Sequence, residues 1–196
     1  MTWVLREVVP ISAPSEPVSL ADMKDSLRIA HDADDYLLTE YISAARDWLE
    51  VETEQIWVSK AYLWVRSTAP VGDIICPPVW PLQAVTEITY YDADNVLQTV
   101  DDTTYEVDIL SRPGRIRLLS GVAWPVVYDD RLDAFSVAFT AGYSLTGEPV
   151  PLRYTQLLRL AVADLYEHRE ANIEARLSEN KAFQRLLWAS KYVTFV

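Results

Sequence analysis

The sequence predicts an α+β fold: a mostly helical bundle, with two N-terminal helices, one long and one short C-terminal helix, and a small antiparallel β-sheet in the middle. Three observations carry this. Apolar residues recur at helical spacing before residue 54 and again after residue 151. Between Ile56 and Tyr143 the texture changes to short β-branched and aromatic runs broken by Pro, Gly, Asn and Asp. Half of the 196 residues are hydrophobic, enough for a packed core. Helices segregated from an antiparallel sheet are the architecture this order of elements favours.

Residues 1–17 hold Pro10, Pro14 and Pro17 and read as an extended arm without its own core. Ser19-Leu20-Ala21-Asp22 has the form of a capping box, so a short helix follows to about Leu27 or Arg28, with Leu20, Met23 and Leu27 on one face. Asp32 is the expected cap of a second helix, with Asp34 and Asp35 in its first turn, where negative charge suits the helix dipole. Leu38, Tyr41/Ile42, Ala45 and Trp48/Leu49 give that helix its apolar stripe to about Thr53.

Strands are expected at 56–66, 85–91, 104–109, 115–119 and 134–140. Arg112-Pro113-Gly114 fits a type II turn joining 104–109 to 115–119. Phe135, Val137 and Phe139 alternate with Ser136, Ala138 and Thr140, as in a half-buried antiparallel strand. A helix starts at Pro151 and runs to about Ala171, with Leu157/Leu158, Ala161/Val162, Leu165 and Tyr166 on its apolar face. A polar joint leads to a short amphipathic segment, Ala182 to Trp188. The simplest partition is an arm (1–17), one α+β domain (18–171) and a C-terminal docking segment (172–196).

Charge is unevenly spread. The net charge is −12. Residues 1–56 carry 4 basic and 12 acidic groups, residues 57–150 carry 6 and 12, and residues 151–196 carry 7 and 5, giving −8, −6 and +2. This balance excludes a protein that wraps nucleic acid through a basic face. It does not exclude one that lets nucleic acid pass. The two ends are expected to meet different neighbours. A single cysteine, Cys76, excludes an internal disulfide framework. No run approaches the roughly 18 apolar residues of a membrane span, and the N-terminus lacks the pattern of a signal peptide, so a soluble chain that is not exported by the usual route is expected.

Motifs for chemistry are scarce. Five glycines build neither a dinucleotide nor a P-loop fingerprint, and neither G-x-S-x-G nor H-E-x-x-H occurs. His31 and His168 have no second His or Cys at zinc-ligand spacing. Cys76 beside Pro77 has no base nearby in sequence and reads as an inert thiol. Asp92-Ala93-Asp94-Asn95 opens like a calcium loop, but Val96 and Leu97 stand where a ligand and a glycine belong. No cofactor or metal is expected. The seven Trp residues (3, 48, 57, 64, 80, 124 and 188) have no fixed spacing. They read as core and interface packing ahead of a sugar-stacking surface. Phe183, Trp188, Tyr192 and Phe195 lie beyond the last long helix, where a monomer has least use for aromatics, and mark a partner contact.

Val18-Ser19-Leu20-Ala21-Asp22-Met23-Lys24, Leu27-Arg28, Asp34-Asp35-Tyr36-Leu37-Leu38 and Ala44-Ala45-Arg46-Asp47-Trp48-Leu49-Glu50 together resemble the start of phage head–tail connector proteins. Pro81-Leu82-Gln83-Ala84-Val85 with Tyr90-Tyr91-Asp92 is similar to the family's central strand region. Phe135–Tyr143 resembles its V-x-V-x-Y-x-A-G-Y strand end, with Phe139 for Tyr. Leu165-Tyr166-Glu167-His168-Arg169-Glu170 resembles its L-Y-E-N-R-E helix, with His168 for Asn. Leu186-Leu187 sits at the family's Leu-Leu-x-x-Tyr end, from which Trp188 and Lys191-Tyr192 depart. The resemblance covers residues 18–192 and extends to gene-transfer-agent adaptors.

The resemblance implies a non-enzymatic virion structural protein at the head–tail junction, assembled in the host cytoplasm. It implies a ring of about twelve copies under the portal, extending the DNA channel and offering a platform to stopper or tail-completion proteins, with no membrane partner. On this reading Phe183, Arg185, Leu186, Leu187, Trp188, Lys191, Tyr192 and Phe195 form the portal or partner interface. Asp32, Asp34, Asp35, Glu50, Glu52 and Glu54 are candidate channel-lining acids that keep passing DNA from sticking. The alternatives are an acidic DNA mimic, and a carbohydrate-binding or carbohydrate-active module.

Overall fold

The computed structural model describes residues 3–8, 16–143, 149–168 and 180–191. It divides into two compact units. One combines Met1–Pro14 with Ser59–Tyr143, the other Ser15–Val58 with Ser144–Val196.

The first unit is β. Its strands are β1 (Val4–Val8), β2 (Lys60–Arg66), β3 (Ile74–Ile75), β4 (Leu82–Tyr91), β5 (Leu97–Thr99), β6 (Tyr105–Asp108), β7 (Arg115–Leu118) and β8 (Phe135–Ala141). An antiparallel five-stranded sheet has the order β1-β2-β8-β4-β5, and a three-stranded sheet the order β3-β7-β6. The alternation expected in residues 135–139 is seen in β8. Val137 lies opposite Trp64 on one side and Ile88 on the other, and Phe135, Val137 and Phe139 are buried. Trp3 stacks on Trp64 at 3.7 Å between ring centroids, and Trp124 meets Phe135 edge-on at 5.4 Å. Each large side chain so buried contributes roughly 1.5–3 kcal/mol.

The second unit is helical: α1 (Leu20–Leu27), α2 (Asp35–Thr53), α3 (Leu152–Glu167) and α4 (Lys181–Ser190). Ser19 caps α1 as its sequence requires, its hydroxyl oxygen accepting from the Asp22 N–H at 3.1 Å. The apolar stripe of α2 (Leu38, Ile42, Ala45, Leu49) is buried, as are Tyr154, Leu157, Leu158, Ala161 and Val162 of α3. Trp57 stacks against Tyr154 at 4.9 Å and Trp48 against Phe183 at 5.9 Å, so these indoles serve packing. No helix of the described residues is long and apolar enough to cross a membrane.

The α+β class holds, with antiparallel sheets and four α-helices among the described residues, but these residues are not mainly helical. Of the described residues 34% are helical and 25% are in strands. The excess of β comes from short strands that periodicity does not reveal. Val4–Val8 pairs with β2 although it falls in the stretch read as an arm, and β3 and β5 are two and three residues long. Two local expectations are corrected. Asp34 rather than Asp32 precedes α2, because the Asp32 carboxylate is held by Lys24 at 2.6 Å. The 105–108/115–118 hairpin forms, but its turn is not type II. Gly114 is not among the positive-φ residues, and the Arg112–Pro113 bond is cis. Asp108 organises the turn, its carboxylate accepting from the N–H groups of Leu110 and Ser111 at 3.0 Å each and from the Ser111 hydroxyl.

Candidate partner-binding surface

The amphipathic sequence of α4 decides which of its residues are available. Asn180 starts the helix, its side-chain oxygen accepting from the N–H groups of Ala182 and Phe183 at 3.0 and 3.2 Å. Phe183 (0% exposed) and Leu187 turn into the unit and Leu186 is half-buried, while Lys181, Gln184, Arg185 and Trp188 face outward. Trp188 is 74% exposed. The outer face therefore combines two cations and a bare indole, and α4 contains no acid.

The end of α4 is fixed. The Gln55 side-chain N–H donates to the Ser190 carbonyl at 2.7 Å, the Tyr154 hydroxyl donates to Gln55 Oε1 and lies 3.4 Å from the same carbonyl, and all three residues are buried. Lys191 Nζ lies 3.2 Å from Glu52. Of the eight residues expected at the partner interface, Phe183 and Leu187 are thus interior anchors. Arg185, Trp188 and the half-buried Leu186 form the outer surface, with Lys191 beside them. Tyr192 and Phe195 lie outside the described residues. The Gln55–Tyr154–Ser190 clamp escaped sequence reasoning, because its members are 36 to 135 positions apart and none belongs to a motif.

The six candidate channel acids are not brought together as one free set. Asp32 and Asp35 share Lys24 at 2.6 and 2.7 Å. These hydrogen bonds hold the Asp32 carboxyl below its ordinary value and the Lys24 ammonium above its own. Asp34 accepts from the Tyr166 hydroxyl at 2.6 Å. Glu52 pairs with Lys191, and Glu54 is exposed at the end of α2. Glu50 is corrected from the channel set: it is 7% exposed, and a buried carboxylate cannot line a channel. Its Oε1 accepts from the N–H groups of Trp57 (2.7 Å) and Val58 (3.2 Å), and its Oε2 meets Arg46 at 3.3 Å. Arg46 also holds Glu16 at 2.8 Å and Asp47 at 2.7 Å. Burial alone would lower the Arg46 pKa, but these carboxylates outweigh it and keep the guanidinium charged. The outward stripe of α2 is instead Tyr36, Glu40, Ala44, Asp47, Val51 and Glu54, with three acids, of which Asp47 is paired with Arg46.

Among the described residues, no three His, Cys, Asp or Glu side chains gather as metal ligands do. Cys76 is exposed.

Residues 17–111 match the family model described as phage gp6-like head-tail connector protein. The family resemblance of the sequence is thereby shown, and over these residues the chain carries the signature of phage head–tail connectors. No curated protein matches the sequence. Among solved structures, a chain from the "Neck of empty GTA particle computed with C6 symmetry" shares 24% identity, with 98% of this chain and 97% of that one covered at a TM-score of 0.76. A chain from the "Virion of native gene transfer agent (GTA) particle" shares 22% at the same coverages and a TM-score of 0.75. One from the "Neck of native GTA particle computed with C12 symmetry" shares 22%, again over 98% and 97%, with a TM-score of 0.76. At these identities the likeness is one of fold, and it spans both units.

Proposed function

We propose that the protein is a structural head–tail adaptor at the neck of a phage or gene-transfer-agent particle. It forms a homo-oligomeric ring of about twelve copies under the portal, extends the DNA channel and presents a platform to a stopper or tail-completion protein. The observation that carries this reading is the connector signature of residues 17–111 within a fold shared, over 98% of the chain, with a chain of a particle neck. No catalytic step is assigned to it.

The outer face of α4 supports the docking part of the reading. An indole that is 74% exposed, flanked by Arg185 and Lys181, has the composition of a contact hot spot. Arg185, Leu186, Trp188 and Lys191, with Tyr192 and Phe195 beyond, are the proposed portal contact, held in place by Phe183 and Leu187 beneath. For the DNA-facing surface the acidic stripe of α2, with Glu40, Asp47 and Glu54, replaces a set that included Glu50. Passing phosphates meet like charge there and are not retained. Particles lacking the protein should contain packaged heads that carry no tails and leak DNA. Normal tail attachment in its absence would overturn the reading.

A further inference from the structure

We propose that the first unit holds a second docking site, a groove between Trp3 and β3, which takes an extended segment of a neighbouring neck protein that carries an acidic residue among apolar ones. This rests on the adaptor reading and adds a site distinct from α4.

The groove has a volume of about 520 Å³ and is lined by Trp3, Trp64, Arg66, Val71, Ile74 and Cys76, among others. One wall is aromatic: the Trp3 ring lies on Trp64, and the Arg66 guanidinium sits 5.0 Å from the Trp3 ring centre. The other wall holds two bare aliphatic side chains, Val71 (90% exposed) and Ile74 (49% exposed). Apolar surface of this kind, beside stacked indoles, is the usual material of an interface core.

Two features select the occupant. The first is backbone. Among the described residues β3 lies at the edge of its sheet and pairs with β7 alone, so its outer N–H and C=O groups face away from the sheet. An extended chain added there gains main-chain hydrogen bonds and sends alternate side chains toward the groove. The second is charge. In a protein of net charge −12, Arg66 has no carboxylate partner among the described residues. One nitrogen donates to the Thr68 hydroxyl at 2.8 Å, and its buried Nε has no hydrogen-bond partner among the described residues. A guanidinium offers five donors, and a carboxylate matches two of them at once. A half-buried arginine left with one neutral partner, on an aromatic floor, is complementary to an acidic side chain arriving from outside.

The test uses the full chain on immobilised twelve-residue peptides tiling the portal, stopper and tail-tube proteins of the same particle. The expected result is retention of peptides that alternate apolar residues with Asp or Glu. Retention should fall at least tenfold in Arg66→Gln and in Val71→Glu, which puts a negative charge on the wall at a site too exposed to affect folding. Arg117→Gln, a cation of the same unit outside this groove, should leave retention unchanged. No retained peptide, retained peptides without acids, or retention by both groove variants equal to that of the wild type would overturn the proposal. Ring formation on the portal by the same variants is read separately. For the wild-type chain, rings without peptide retention sink the groove alone, and peptide retention without rings sinks the adaptor reading alone; the groove variants should still form rings.

Discussion

Gln55 donates its side-chain amide to the main-chain carbonyl of Ser190, 135 residues further along the chain, at 2.7 Å. The bond ties the last turn of α4 to the end of α2, and it is buried. A surface helix of ten residues has little stability of its own. The docking role proposed for it depends on attachments of this kind.

Gln55→Leu should therefore loosen α4 more than the rest of its unit. It leaves the Ser190 carbonyl and the Tyr154 hydroxyl short of a buried partner, at a cost of about 1–3 kcal/mol. Amide exchange should accelerate over residues 184–190 while the middle of α2 stays protected. Uniform acceleration across the unit would contradict the clamp.

Glu50 makes a sharper case. Glu50→Ala leaves the buried N–H groups of Trp57 and Val58 without their acceptor and removes one of the three carboxylates around Arg46, and should cost about 1–3 kcal/mol. Glu50→Gln keeps one acceptor oxygen for those N–H groups and should cost less. Denaturant midpoints of the two variants check the order. Equal midpoints would return Glu50 to the surface.

Gly114 is required by close approach and not by a turn. A Cβ there would lie 2.6 Å from the Leu82 Cβ. Gly114→Ala should cost about 1–3 kcal/mol by overpacking, read from the thermal midpoint of the first unit. Gly72→Ala, in open space but at φ +86°, should show backbone strain without a clash.

Acid should act on two turns only below the ordinary carboxylate range. Hydrogen bonds from Ser111 hold the Asp108 carboxyl below its ordinary value, and those from Val96 and Gln98 do the same for Asp92. A depressed folded-state pKa contributes stability that is present above the ordinary carboxylate value, about 3.9, and is lost as pH falls through the folded value. The amide signals of residues 94–96 and 110–111 should stay native to below that pH and then shift. Shifts centred at or above it would contradict these turns.

How much was legible follows from the range of each interaction. The Ser19 capping box and the Phe135–Val137–Phe139 alternation lie within a few residues, and both appear where the pattern put them. β1 was illegible: a five-residue edge strand among prolines shows itself only against β2, where Val4 meets Val65. On α2, the i, i+4 spacing of Arg46 and Glu50 on the face of Ile42 and Leu49 was the available sign that Glu50 turns inward. On α4, the sequence put Phe183, Leu186, Leu187 and Trp188 together as one apolar contact, and only the packing shows Phe183 and Leu187 facing in and Trp188 out.

Truncation before α4 removes the buried Phe183 and so confounds docking with folding. The direct measurement is instead the mass of portal complexes formed with the wild-type chain and with the double variant Arg185→Glu, Trp188→Ser, whose altered side chains are exposed and should hardly affect stability. The wild type should add about a dozen copies of a 22.3 kDa chain to each portal, and the folded double variant should add none. A wild-type chain that stays monomeric beside the portal, or a variant that loads equally well, would contradict the account.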